Sequence, residues 1–262
     1  MSKVISLAPY GLRSRSQRIA EFLRAFREGP ILFDLAEDFE GFLRDYIRGE
    51  ISEAELWDGY RMLTGAQEAF VRVSMRAVEP IIRALRGFRE RAAQVHCYQS
   101  LNSVVESYRV AERIVLLQLR SKVRGKVDVS EWRRALLAEA KCAERFWSEV
   151  LDAIAEKVKG HRLSAMLYDG DLGELKRGLE REGVSLEALP LGRYWRTPLD
   201  VLRAMIRRGE VGDDEIELCV RRHMDYLNLV IRSEDLDEAH DRWTEEMEAL
   251  GSRSIGGSGV DR

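Results

Sequence analysis

Carboxylate side chains follow two short apolar runs of this sequence, at positions where α/β proteins commonly place reactive groups. Asp34 and Glu37 come after the run at 31–33, and Asp169 and Asp171 come after the run at 163–168. Carboxylate oxygens are preferred ligands of hard cations such as Mg²⁺ and Mn²⁺, and a bound cation can activate water for hydrolysis. Asp34, Asp169 and Asp171 therefore form a candidate metal site with a candidate catalytic role.

Other polar residues follow neighbouring apolar runs and complete this candidate site. Arg13 and Arg15 come after the first run, and a guanidinium at such a place can stabilise negative charge that develops during a reaction. We assign Arg13 to the candidate catalytic residues. Tyr10, Gly11, Arg15 and Gln99, together with the Glu37 carboxylate, are candidate binding residues.

The same carboxylates also have a structural interpretation. An acidic residue just before a helix accepts hydrogen bonds from the first backbone N–H groups and stabilises the helix N-terminus. Asp171 lies three residues before Glu174 in a segment with helical spacing, so it suits this capping role as well as it suits a metal site. Both interpretations stay open at the level of sequence.

The elements that must position these residues alternate between strand and helix. Apolar runs bounded by turn residues predict strands, and the segments between them have helical spacing. Strand–helix–strand units require parallel strands. We therefore predict an α/β fold with a parallel, about five-stranded Rossmann-like central sheet, in which Gly11, Asp34 and Asp171 meet at the carboxyl edge. The predicted strands are 4–8, 31–33, 94–98, 163–168 and 184–189.

The order of elements predicts a core with two helical additions. Residues 1–190 form the predicted α/β core with a helical insertion at 36–87, residues 191–250 form a C-terminal helical annex, and 251–262 form a flexible tail. Helix starts are predicted at Ser52, where Glu55 completes a capping box, and at Thr197, which precedes Pro198 and Asp200. We expect Pro80 to kink its helix or divide it in two.

Composition excludes several classes of protein. The chain has 262 residues, 45% of them hydrophobic, so it can bury a core, and its 42 basic and 45 acidic residues leave a net charge of −3. This balance disfavours binding to nucleic acid or to an anionic membrane. No apolar run approaches the ~20 residues of a membrane helix. We expect a cytoplasmic protein.

Metal and nucleophile motifs are absent from the sequence. There is no CxxC, HExxH, GxSxG, Walker or GxGxxG pattern, which disfavours the commonest zinc, hydrolase and nucleotide sites. Cys219 and His223 lie four residues apart and share a helix face, but no second local pair accompanies them. We expect them to pack rather than to bind zinc.

Three strand ends carry a resemblance to a known group of proteins. The stretches at 8–11 (Ala-Pro-Tyr-Gly), 33–35 (Phe-Asp-Leu) and 168–171 (Tyr-Asp-Gly-Asp) are similar in order to the motifs of the TraB/TIKI group, which includes ChaN-like and erythromycin-esterase-like proteins. In that group the motifs are Gly-x-x-His, Glu and Gly-x-Gly-His. The resemblance covers about residues 3–190 and implies the same fold, and some members are proposed metal-dependent hydrolases.

Departures from the motifs set the functional expectation. Gly11 and Asp171 stand where the group has histidines, and Asp34 stands where it has glutamate. The resemblance therefore implies a diverged, non-catalytic member without a cofactor, which acts through a protein partner or a second copy, with helix faces of the insertion and annex as docking surfaces. The alternative is a hydrolase that uses Mg²⁺ or Mn²⁺ at the strand carboxylates.

Overall fold

The chain divides into two compact units in a computed structural model. The α/β unit consists of Met1–Glu112 and Lys141–Leu191, and the helical unit consists of Arg113–Ala140 and Gly192–Arg262. The structure describes residues 2–8, 11–189, 191, 194–209 and 211–253, without the side chains of 69, 70, 73, 74 and 250–253. Tyr10 and most of the predicted tail lie outside the described residues.

The described strands of the α/β unit form one all-parallel sheet. The order is β3-β2-β4-β1-β5, which confirms the predicted α/β class and its five-stranded, Rossmann-like parallel sheet. Asp34 and Gln99 lie within strands rather than just after them, because β2 and β3 extend further than their apolar runs. The strands are β1 (Ser2–Leu7), β2 (Ile31–Ala36), β3 (Val95–Gln99), β4 (Leu163–Leu167) and β5 (Val184–Ala188).

Strand β4 lies between β1 and β2 and joins the two halves of the sheet, although it follows both of them in the chain. Ala165 of β4 is in register with Ile5 of β1 on one side and with Ile31 of β2 on the other. Successive side chains of a strand point to opposite faces, so Ala165 belongs to the core on one face, whereas Met166 belongs to the core on the other. Both are completely buried, as expected for a parallel sheet covered on both faces.

Helices connect the strands and form the rest of the described chain. Three of them, α2 to α4, follow β2 in the region of the predicted insertion, and α5 and α6 each contribute residues to both units. The helices are α1 (Arg13–Ala25), α2 (Glu40–Arg48), α3 (Glu53–Thr64), α4 (Glu68–Leu85), α5 (Leu101–Arg124), α6 (Val129–Val158), α7 (Leu172–Arg181), α8 (Pro198–Arg208), α9 (Asp213–Arg232) and α10 (Leu236–Arg253).

The capping signals in the sequence form the predicted helix starts. Ser52 accepts a hydrogen bond from the Glu55 backbone N–H at 3.2 Å, and the Glu55 carboxylate accepts one from the Ser52 N–H at 2.7 Å. Thr197 and Asp200 make the same reciprocal pair at the start of α8. These predictions are confirmed, since caps depend on residues only three positions apart.

Pro80 lies inside α4, which continues through it as one helix rather than dividing in two. Proline has no backbone N–H, so the Arg76 carbonyl one turn earlier loses its helical donor. Arg13 of α1 supplies a replacement, since its Nη1 lies 3.1 Å from the Arg76 carbonyl oxygen. The same guanidinium pairs with Glu79 and lowers the pKa of that carboxyl. Arg13 therefore joins α1 to α4.

Side chains of α2 cover the outer edge of β3. Glu40 accepts a hydrogen bond from the Cys97 backbone N–H at 2.9 Å, and Arg44 donates to the Val95 carbonyl at 3.3 Å. Burial raises the pKa of Glu40, but hydrogen bonds from His96 and Cys97 and the charge of Arg44 outweigh it, so the net pKa is lowered. The two side chains take the place of a neighbouring strand, which protects this edge from other chains.

Buried aromatic residues and a partly buried ion pair join helices of the helical unit. Trp132 of α6 is fully buried and donates its indole N–H to Ser121 of α5 at 3.0 Å. Arg203 of α8 makes a two-fold contact with Glu139 of α6, both bonds being 2.9 Å, and also reaches Asp200. Bidentate contacts of this kind hold two helices in a defined orientation.

The effect of substituting Arg13 on stability should depend on whether Pro80 is present. Arg13→Ala should lower the free energy of unfolding by about 1 kcal/mol in the native chain, and by less in a Pro80→Ala background, where the restored N–H serves the Arg76 carbonyl. Urea unfolding of both single variants and the double variant measures the coupling. Arg83→Ala is the control, because Arg83 pairs with Glu79 without touching that carbonyl. Additive effects of the Arg13 and Pro80 substitutions would contradict the assignment.

The buried His223 of α9 should make stability depend on pH. Burial lowers its pKa from 6.5 to about 4, while Asp200 opposes and Arg203 reinforces the shift. Between these values the unfolded chain binds a proton that the folded chain does not, so stability falls as pH falls from about 6.5 towards 4, by about 3 kcal/mol from this group.

Denaturant unfolding at several pH values tests this dependence. His223→Gln should flatten the fall in stability between pH 6.5 and 4, whatever its effect at neutral pH. His161→Gln, at an exposed loop position, should leave the slope unchanged. Equal slopes in the native chain and in His223→Gln would show that His223 does not titrate in this way.

Candidate functional site

Two of the residues predicted for the site are in direct contact at the carboxyl edge of the sheet. Gln99, the last residue of β3, donates its amide N–H to the Asp34 carboxylate of β2 at 2.6 Å. The Gln99 amide oxygen accepts a hydrogen bond from the Ser103 hydroxyl of α5 at 3.0 Å. The three side chains form a chain of hydrogen bonds, so the Gln99 amide orients the carboxylate.

A pair of tyrosines that sequence reasoning missed lies near the same carboxylate. The hydroxyls of Tyr60 (α3) and Tyr108 (α5) are 2.8 Å apart. Burial raises the pKa of both hydroxyls, and the negative charge of Asp34 raises each further. The only available signal was a hydroxyl-bearing residue on the apolar face of each helix, which is also typical of ordinary core tyrosines.

This cluster, formed by Asp34, Gln99, Ser103, Tyr60 and Tyr108, contains one carboxylate among neutral groups. Both tyrosines are protonated at neutral pH, as phenols ordinarily are, and their raised pKa values keep them protonated at higher pH as well. A single carboxylate does not provide the several oxygen ligands that a hard divalent cation requires.

Among the predicted residues after β1, Arg13 has a structural role. Arg13, a candidate catalytic residue, bonds to Glu79 and to the Arg76 carbonyl. Arg15 is only 6% exposed within α1, whereas Gly11 is exposed with open space where a side chain would project. Tyr10 lies outside the described residues.

The predicted acidic residues serve different parts of the fold. Asp171 is the N-cap of α7 and accepts a hydrogen bond from the Glu174 backbone N–H at 3.0 Å, as the structural interpretation predicts. Glu37 pairs with Lys157 of α6 at 2.8 Å, and Asp169 is exposed. Within the described residues, no group of three or more His, Cys, Asp or Glu side chains is arranged to hold a metal ion.

The structure does not gather Asp34, Asp169 and Asp171 into one group of side chains arranged around a metal ion, although all three residues are described. The physical reason is that Asp34 lies inside β2, where Gln99 binds it, while Asp171 turns to its own helix N-terminus. The parallel sheet brings the strand ends to one edge but leaves the direction of each side chain to its local contacts.

Histidine and cysteine side chains occur in both units, and each has its own local environment. His96 of β3 is 3.5 Å from the Glu40 carboxylate, and His223 is buried in the helical unit, where its ring lies 3.1 Å from the Gln118 amide nitrogen. Cys219, one turn before His223, is half-buried, and burial raises the pKa of its thiol.

Comparisons with protein-family models, curated proteins and solved structures find no match to the chain. The resemblance to the TraB/TIKI group therefore depends on the order of the strand-end residues. In the described part of the chain, every helix is too short or too polar to cross a membrane.

Asp171 should behave as a helix cap and not as a metal ligand. Asp171→Ala should lower the free energy of unfolding by about 1 kcal/mol, whereas Asp171→Asn should preserve it, because asparagine is an equally good cap. Urea unfolding with and without Mn²⁺ measures both effects. If Mn²⁺ stabilises the native chain and Asp171→Asn removes that stabilisation, the carboxylate binds metal and the capping assignment is insufficient.

Proposed function

We propose that the chain is a diverged, non-catalytic TraB/TIKI-like protein that acts by binding another protein, and that the helical unit is the part that binds. The observation that carries this proposal is the distribution of exposed apolar side chains. Of the twelve large hydrophobic side chains that are exposed among the described residues, ten belong to the helical unit. They lie on the helices α5, α6, α8, α9 and α10 and on the segment just before α8.

Apolar side chains that stay in water lose the free energy that burial would give, and a bound partner would supply that burial. Val123 is 84% exposed and Ile231 is 68% exposed, so neither gains the stabilisation that burial gives, about 25 cal/mol per Å². Single exposed apolar residues are common, but a concentration of them in one part of a protein marks interaction surfaces. The α/β unit has only Phe42 and Met62 of this group.

The hydrolase alternative has less support from the described residues. It needs Asp34, Asp169 and Asp171 as joint ligands, and two of them have other hydrogen-bonded roles. Its candidate charge-stabilising residue, Arg13, is engaged by Glu79. A cytoplasmic location belongs to the same proposal and is supported by the cysteine pattern, because three widely spaced cysteines do not suit the disulfide framework of a secreted protein.

Site-specific photo-crosslinking in the producing cells tests whether the helical unit binds a protein. A benzophenone amino acid placed at Leu218 or Ile231, both exposed on α9, should give the same crosslinked partner polypeptide, identified by mass spectrometry. The matched control is Met62 of α3, which is 81% exposed in the α/β unit and should give no adduct with that partner. Adducts from Met62 alone, or none from the α9 positions, would refute the proposal.

A further inference from the structure

Helix α5 is apolar on two opposite sides where it runs through the helical unit. Ile114 and Leu117 are buried on the side that faces the core, next to Ser121, which bonds to Trp132. Leu116 is 53% exposed, Leu119 54% and Val123 84%, and helical spacing places these three on the opposite side. A helix that is apolar on both sides requires two packing surfaces, and the unit supplies one.

The exposed side has the spacing of a helix–helix seam. Leu119 follows Leu116 by three residues and Val123 follows Leu119 by four, so the three residues occupy successive a, d and a positions of a heptad. Residues 113–124 extend over roughly 18 Å at ~1.5 Å per residue. We name these three side chains the α5 seam, and the stretch that carries it is a little under two heptads long.

Positive charge borders the α5 seam along its whole length. Residues 113–124 include Arg113, Arg120, Lys122 and Arg124 and no acidic residue. In the heptad frame, Arg113 and Arg120 occupy e positions and Lys122 occupies a g position, the positions that select a partner helix by charge. Neutralisation within the unit is weak, because Arg120 reaches Glu131 only at 3.5 Å and Lys122 bonds to the neutral Asn228 amide.

The charges decide between occupants. A second copy docked through the same seam would place Arg113, Arg120 and Lys122 against residues of like charge, which opposes association. A membrane-surface helix usually has Trp or Phe on a longer apolar face, whereas this seam has two leucines and one valine. An apolar helix with acidic flanks satisfies both the seam and its border.

We propose that the α5 seam binds an amphipathic helix of another protein whose apolar face is flanked by glutamate or aspartate. This inference rests on the proposed function and identifies the partner chemistry for one face of the helical unit. Opposite charges at the flanking positions set the orientation and the choice of partner, while burial of Leu116, Leu119 and Val123 supplies the affinity.

A pair of designed peptides tests the proposal on the full chain. Each has three heptads with leucine at a and d, and carries either glutamate or lysine at e and g; binding is measured by fluorescence anisotropy. The glutamate peptide should bind at least about tenfold more tightly than the lysine peptide, with a preference that weakens at high salt. Leu119→Gln should weaken binding by about tenfold or more, and the double variant Arg113→Glu/Arg120→Glu should reverse the peptide preference.

Controls keep the outcome independent of folding. Met62→Gln removes a more exposed side chain from the α/β unit and should bind the glutamate peptide as the native chain does. Circular dichroism should show unchanged helix content in every variant. Equal binding of the two peptides, or unchanged binding by Leu119→Gln, would overturn the inference.

Three further outcomes overturn the inference while distinguishing it from the proposed function. If sedimentation shows a dimer that Leu119→Gln dissociates, the seam binds a second copy, and the proposed interaction role stands. If neither peptide binds but crosslinking at Leu218 and Ile231 succeeds, the partner uses another face and the proposed function stands. If the native chain binds phosphatidylserine vesicles, Leu119→Gln does not, and crosslinking fails, both proposals are wrong.

Discussion

Pairing of β4 with both β1 and β2 is the interaction on which the rest of the structure depends. These two early strands do not pair with each other, so the sheet is continuous only when Ala165 is in register with Ile5 and Ile31. More than a hundred residues separate β4 from β2, and closing such a loop costs entropy that only burial on both faces can offset. The connection, which includes α5 and α6, also supplies residues 113–140 to the helical unit.

The polar residues near the sheet mainly stabilise the fold. Arg13 restores a hydrogen bond that Pro80 removes from α4, Glu40 and Arg44 cover the edge of β3, and Asp171 caps α7. Each supplies a hydrogen-bond partner to a backbone group at a helix interruption, a strand edge or a helix end. The cluster around Asp34 is the other polar group at the strand ends, and its single carboxylate is held by the Gln99 amide. The exposed apolar surface of the helical unit therefore offers the stronger indication of function.

Most of the fold, but only part of the candidate site, could be predicted from the sequence. The sequence predicts the five strands and the helix N-termini at Ser52, Thr197 and Asp171, because apolar runs and helix caps depend on residues that are close together in the chain. The structure does not gather Asp34, Asp169 and Asp171 into one group, because a shared position at a sheet edge does not specify side-chain direction. Tyr60 and Tyr108 were missed, since their contact joins helices 48 positions apart.

The sequence by itself determined the kind and order of the elements, their caps and the all-parallel class of the sheet, because each depends on patterns within a few turns. Only the tertiary structure decided the strand order, the role of Arg13 and which side of α5 is buried. The two sides of α5 are equally apolar in the sequence, with Ile114 and Leu117 on one side and Leu116 and Leu119 on the other. The Trp132 indole bonds to Ser121 on the first side, while Leu116 and Leu119 stay exposed on the second. Which side is buried depends on contacts between helices, and the pattern of neighbouring residues does not specify those contacts.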